Sequence, residues 1–186
     1  VFIRKGFAWE NAELFWLRKF LRRLRAPNIA PLHIIALPMD DVYDKHWSQT
    51  GKKVPNARTP DAAVYLPGRN LLLLSKTAVF CTLREIPTIA LAPLNHNPFA
   101  DASPQFFREF ERLASRALGH QLKIVVPFRR LRKAQVIRRG KHLPLEITFS
   151  CIAPCGRQHC GKCNKCAERK QAFREAGVAD AMRYKR

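Results

Sequence analysis

Five of the six cysteines fall between Cys151 and Cys166, and the last three are spaced Cys160-x2-Cys163-x2-Cys166. A Cys-x2-Cys turn brings two thiolates onto one metal at Zn–S distances of about 2.3 Å, with backbone N–H groups supporting the sulfurs. Three ligands from one tight segment require a fourth from upstream, and Cys151, Cys155 and His159 are the choices. Four thiolates on a divalent ion leave surplus negative charge. Arg157, Lys162 and Lys165 would offset it, as would the positive end of a helix starting near Lys165. A disulfide framework is the alternative, but it spreads cysteines through a small secreted domain rather than packing them into one knuckle. The spacing therefore predicts zinc.

Two other segments carry polar chemistry ahead of a helix. Leu66-Pro67-Gly68-Arg69-Asn70 places a proline-glycine turn at a helix start, where free N–H groups and Arg69 suit an anion. An ordinary turn with a surface arginine would read the same way. Residues 95–103, NHNPFADAS, gather amide, imidazole, aromatic and carboxylate groups. Phe99 offers a face for a flat heterocycle, and Asp101 or Asn95 would read its donors. The same letters also spell an Asx turn followed by helix capping. His96 alone reads as structural. Seven basic residues from Arg129 to Lys141 read, by themselves, as a solvated face.

These residues need a scaffold, and the periodicity supplies one. Residues 9–25 form an amphipathic helix, with Leu14, Leu17, Leu21 and Leu24 on one side and Arg18, Lys19, Arg22, Arg23 and Arg25 on the other. Further helices are predicted over 69–84, 104–118, 131–139 and 165–176. The 69–84 helix is apolar on nearly every side, which predicts burial, with Cys81 as a small core residue. Ser103 reads as an N-cap, Pro104 as the first helical residue and Gly177 as a C-cap. Strands are predicted at 1–3, 32–37, 88–94, 122–128 and 146–149. The irregular stretch 38–68 has room for one or two helical turns near Met39–Trp47. Such alternation predicts an α/β fold with a doubly wound parallel sheet, whose ligands bind beyond the carboxyl ends of the strands. Segments 38–70, 95–103 and 129–133 lie there.

At 186 residues the chain suits one domain with a proper core. A formal net charge of +20 makes a polyanion partner worth weighing. No apolar run reaches membrane-span length and no signal peptide opens the chain, so clustered cysteines predict a cytoplasmic protein without membrane attachment. Val1-Phe2-Ile3 already reads as a strand, so no earlier βα unit stands before it. A truncated sequence is the expectation, with a naturally trimmed chain as the alternative.

Several stretches together resemble one family. HCGKCNKCAERKQAFREAGVAD at the C-terminus is similar to the signature of the 7-cyano-7-deazaguanine synthases, and Cys151-x8-Cys160-x2-Cys163-x2-Cys166 matches that family's zinc pattern, leaving Cys155 spare. Residues 65–75 and 94–114 agree as well. LRKAQVI, 131–137, resembles the family's Ser-Lys-Ala-Glu-Val-Ile helix start, with Arg132 and Gln135 as departures. The resemblance implies an adenine nucleotide alpha hydrolase-like ligase core over 1–150 that lacks its first βα unit, and a zinc knuckle and helix over 151–186 in the same domain. It implies ATP with Mg2+ as cofactor, a deazapurine carboxylate and ammonia as substrates, and conversion to a nitrile through an acyl-adenylate. Arg69 and Lys133 become the expected catalytic contacts, and Asn70, Asn95, Phe99 and Asp101 the expected substrate contacts. The four-thiolate zinc, closed to further ligands, becomes structural. One departure is large: the Ser-Gly-Gly-x-Asp-Ser loop that holds pyrophosphate in such enzymes occurs nowhere in the sequence. Two alternatives are a sister ligase that amidates or thiolates, and a zinc-containing basic protein that binds nucleic acid directly. A homo-oligomer is compatible with all three.

Overall fold

The computed structural model describes the whole chain apart from Arg25, His96 and Arg186, so the readings of Arg25 and His96 lie outside the described residues. The elements run β1 (Phe2–Arg4), α1 (Glu10–Leu24), β2 (Ile34–Ala36), α2 (Asp40–Tyr43), α3 (Trp47–Thr50), α4 (Arg69–Thr82), β3 (Thr88–Ala90), α5 (Pro104–Leu118), β4 (Lys123–Val125), α6 (Lys133–Arg139) and α7 (Asn164–Ala176). The fold is α/β, and both strand pairings are parallel. The residues group into two compact units, Val1–Val64 with Lys133–Arg186, and Tyr65–Arg132.

In the first unit β1 pairs with β2 in the register Phe2–Ile34, Ile3–Ile35 and Arg4–Ala36. The buried carboxylate of Glu10, at the head of α1, accepts from the N–H groups of Lys5 and Gly6 and fixes how β1 enters the helix. Helix α1 turns Ala12 and Leu14 inward and leaves Arg18, Lys19, Arg22 and Arg23 in solvent, as its periodicity requires. The segment after β2 holds two single-turn helices. The second ends on Gly51 with φ +65°, where a Cβ would meet Ala8 at 3.3 Å. Helices α6 and α7 pack through Ala134, Ile137, Ala172, Phe173 and Ala176.

The second unit carries its own core, in which Leu74, Ala78 and Cys81 of α4 meet Ile89, Leu122, and Phe107, Phe110 and Ala114 of α5. Its strands pair in the register Thr88–Lys123, Ile89–Ile124 and Ala90–Val125. Ser103 caps α5 by accepting from the Phe106 N–H at 3.1 Å, and Pro104 follows as the first helical residue. No helix among the described residues is long and apolar enough to cross a membrane.

Two expectations need correction. Residues 146–149 do not form a strand; Leu145–Ile147 is a 3-10 turn. Pro144 precedes it, and the carbonyls of Leu145 and Thr148 accept from the guanidinium of Arg169 instead of a ladder partner. Helix α4, in turn, is not buried all round. Asn70, Leu74, Ala78 and Cys81 are buried, while Leu71 and Val79, and Leu83 just past the helix, stay 44, 47 and 77% exposed. A continuous apolar run does not say how many sides of a helix have neighbours.

Candidate metal centre and the residues around it

Cys151, Cys160, Cys163 and Cys166 place their sulfurs within 4.8 Å of one another. The Cys151 and Cys163 sulfurs are 3.8 Å apart. That is about the edge of a tetrahedron built on metal–sulfur bonds of about 2.3 Å. The backbone supports the sulfurs: Ala153 and Cys160 donate N–H to Cys151, while Lys162 and Cys163 donate to Cys160, all at 3.3–3.4 Å. Gly161, with φ +74°, makes the turn between two ligands; a Cβ there would press on Tyr184 and Lys170 at 3.4 Å. Cys163 is the N-cap residue of α7, and Cys166 sits in its first turn, so the positive helix end faces the thiolates. Without an ion the sulfurs compete for protons. The hydrogen bond between Cys151 and Cys163 drives the Cys151 thiol up and the Cys163 thiol down. A metal replaces that proton sharing with four thiolate bonds.

The two other choices for the fourth ligand lie outside the four-sulfur group. Cys155 is exposed, and its backbone closes a small turn with Gln158. His159 is fully buried and spends Nε2 on the Ser150 N–H at 3.0 Å. Burial, and then the charge of Arg169, push the His159 pKa down to about 4. Its ring packs on Phe149 and Tyr184.

The cluster also anchors the segment that follows β2. Asn164 donates its backbone N–H to Pro55 O at 2.9 Å and its Nδ2 to Thr59 O at 2.8 Å, and Ala57 donates to Lys162 O at 3.0 Å. Midway along α7, Arg169 is 2% exposed. It forks onto both oxygens of Asp180, while its remaining N–H groups reach Thr148 and Leu145. Tyr184 also donates to Asp180, which folds the C-terminal segment back, and Lys185 N–H reaches His159 O at 2.8 Å.

The residues expected to meet substrate divide between the units: Arg69, Asn70, Asn95, Phe99 and Asp101 lie in the second, and Lys133 in the first. Asn70 and Asp101 are brought together. The Asp101 carboxylate accepts from the Asn70 backbone N–H at 2.8 Å, and Asn70 Nδ2 returns a bond to Asp101 O at 3.1 Å. Asp101 thus caps the start of α4, beside the half-buried Arg69. Phe99 is half-buried against Tyr65, with centroids 5.0 Å apart. Its N–H bonds to Asn97 Oδ1 in an Asx turn, so both readings of 95–103 share that loop. Asn95 is exposed, and its backbone N–H donates to Leu131 O. Beyond the carboxyl ends of β3 and β4, Asn95, Asn97, Arg108, Glu111 and Arg129 line a cleft of about 580 Å³ that ends at the first turn of α5. Lys133 opens α6 and pairs with Glu168 at 2.9 Å.

A family model described as "Queuosine biosynthesis protein QueC" matches residues 13–177. The chain belongs to the QueC family. It is 31% identical over 169 residues to the 7-cyano-7-deazaguanine synthase of Syntrophobacter fumaroxidans, covering 82% of this chain and 72% of that protein. Against the enzyme of the same name from Stutzerimonas stutzeri the identity is 32% over 163 residues, covering 81% and 72%. Against that of Anaeromyxobacter dehalogenans it is 35% over 129 residues, covering 64% and 55%. The four-cysteine cluster, α6 and the whole of α7 lie inside the QueC match.

Sequence reading missed Asn164, Glu168, Arg169 and Asp180 as residues that organise the centre. The signal was present for Arg169 and Glu168, which sit in the Cys-Ala-Glu-Arg-Lys run after the last ligand. Their partners at Lys133, Thr148 and Asp180 were beyond any local pattern.

Proposed function

We propose that this QueC-family chain carries the zinc-bearing part of a 7-cyano-7-deazaguanine synthase. In that reaction ATP activates the carboxylate of 7-carboxy-7-deazaguanine, ammonia displaces AMP to give an amide, and a second activation leaves the nitrile. The observation that carries the reading is the four-sulfur cluster at the head of α7, inside a family match over residues 13–177. Four sulfurs within 4.8 Å of one another, two of them at about a tetrahedral edge, would fill all four positions of a zinc ion, which suits a structural site. When bound, the ion supplies a fixed geometry for Cys163–Cys166 and for the segment Asn164 holds. Mg2+ accompanies ATP, but no Ser-Gly-Gly-x-Asp-Ser stretch occurs in the 186 residues, so no residue here is assigned to pyrophosphate.

The chain's own share of the chemistry is positioning and charge. Arg69, at the start of α4 in the second unit, and Lys133, at the start of α6 in the first, are each a candidate contact to an anionic group. Phe99 would supply a stacking face, with Asn95, Asn70 and Asp101 shaping the polar side of the pocket. In the full-length enzyme Arg69→Ala and Lys133→Ala should each lower turnover by about 10- to 1000-fold, with zinc content unchanged. Near-normal turnover by both would refute this assignment, and product analysis separates a nitrile from an amide or a thiolated base. The 186 residues alone, lacking the pyrophosphate loop, should release no pyrophosphate from ATP.

A second reading rests on a different observation. Arg18, Lys19, Arg22 and Arg23 stand exposed on α1, and none has a carboxylate partner among the described residues. Direct binding of nucleic acid through this face would weaken steeply with salt.

A further inference from the structure

Beyond the metal cluster, α7 presents a carboxylate that two ammonium groups share. Glu168 Oε1 lies 2.9 Å from Lys133 Nζ, and Glu168 Oε2 lies 2.7 Å from Lys165 Nζ. Lys165 Nζ also stands 3.6 Å from Asp61 Oδ1, in the segment pinned by Asn164. Glu168, Lys133 and Lys165 are 31, 32 and 27% exposed, so the group is half-buried yet open to a ligand. Burial pushes the Glu168 carboxyl up, but the Lys133 charge and the Lys165 hydrogen bond hold it below the usual glutamate range. Glu168 comes two residues after the ligand Cys166, so its position follows directly from the knuckle.

A merely structural role explains this arrangement poorly. Helices α6 and α7 are already joined by Ala134, Ile137, Ala172 and Phe173, and by Arg138 donating to Glu175 O. Partly exposed ion pairs add little to stability, typically about 0–1 kcal/mol. What the carboxylate does achieve is to hold two lysines from different helices side by side, each on its own oxygen. The second counter-charge is Asp61, 63% exposed and 3.6 Å from Lys165, so a phosphate or carboxylate ligand would replace it on Lys165 and be shared with Lys133.

We propose that Glu168 is the positioning residue for Lys133, and that Lys165 joins Lys133 as a second contact to one anionic group of the substrate or nucleotide. The proposal rests on the reading of Lys133 as an anion contact and deepens it. Glu168 acts through the lysines and does not touch the reacting atoms.

The test uses the full-length enzyme. Glu168→Gln should lower kcat/KM about 10- to 100-fold, the range expected when a contact group is misplaced by about 1 Å. Glu168→Asp, which keeps the charge on a shorter arm, should recover part of that loss. Zinc content should stay equal throughout. A rise in KM confined to ATP would mark the anion as a nucleotide phosphate; a rise confined to the deazapurine would mark it as the substrate carboxylate. Adding Glu168→Gln to the pair Lys133→Ala and Lys165→Ala should cost no more than about 2-fold beyond that pair alone, because both lysines it holds are gone. If Lys133→Ala is impaired but Glu168→Gln is normal, the positioning role falls and the reading of Lys133 survives. If Lys133→Ala is itself normal, both fall. If the loss from Glu168→Gln multiplies with that of the pair, Glu168 acts on something other than the two lysines and the proposal is overturned.

Discussion

Replacing Arg169 by alanine tests how the C-terminal segment is held onto the metal knuckle. The guanidinium is buried and paired with Asp180 at 2.9 Å, where the two side chains are 3 and 11% exposed. It also satisfies the carbonyls of Leu145 and Thr148 and the Thr148 hydroxyl. Alanine would leave a poorly hydrated carboxylate and two carbonyls without that donor. Breaking a buried pair from one side costs about 3–5 kcal/mol. Asp180 keeps Tyr184 and the Met182 N–H as donors, so the lower end, about 3 kcal/mol, is the expectation. For a chain of this length that corresponds to a fall in Tm of about 6–12 °C, read on zinc-loaded protein at neutral pH. The sign of the pH dependence follows. Burial raises the Asp180 carboxyl, but Arg169 and Tyr184 hold it below its ordinary value. Its stabilisation is therefore present above the unfolded value near 4 and is lost as pH falls through the lower, folded value. Without Arg169, only Tyr184 and the Met182 N–H oppose burial and the carboxyl rises, so the variant forfeits less on acidification. His159, held down by burial and then by the same guanidinium, shifts in the same direction. The gap between wild type and Arg169→Ala should be widest at neutral pH and narrow in acid. A fall in Tm below 2 °C, or a gap that widens as pH drops, would refute the argument.

Three further outcomes are expected. Cys155→Ser should leave one zinc per chain while Cys151→Ser lowers it, measured by metal analysis after gel filtration; the reverse would reassign the fourth ligand. Asp101→Ala removes the acceptor at the start of α4 and should cost about 1 kcal/mol of stability, as lost N-caps do, read by urea unfolding. Reversing Arg22 and Arg23 to glutamate should abolish any RNA retention that falls with salt between 50 and 200 mM, measured by filter binding, and should leave zinc content alone.

What could be read from the sequence, and what could not, separates by the range of the physics involved. The three-cysteine knuckle was legible because a Cys-x2-Cys turn is closed by N–H···S bonds formed within a few residues, whereas Cys151 came from the family pattern and meets Cys160 across nine residues. Helices α1, α5 and α7 were legible for the same reason. Their periodic faces, the Ser103 cap and Gly177 with φ +66° at the end of α7 are local commitments. Strand 146–149 failed because the apolar letters of Glu-Ile-Thr-Phe could not show that Arg169, 21 residues on from Thr148, would claim the carbonyls. The full burial of α4 failed because composition reports what a helix would bury if covered, not what covers it. Asp101 is the most instructive case. A carboxylate at a strand exit looks free to read a ligand, yet across 31 residues it already accepts the Asn70 N–H. That bond spends the carboxylate on the fold. It fixes the start of α4, and with it the backbone from which Arg69 reaches out, so the residue most exposed to a double reading is the one that ties the local turn to the proposed chemistry.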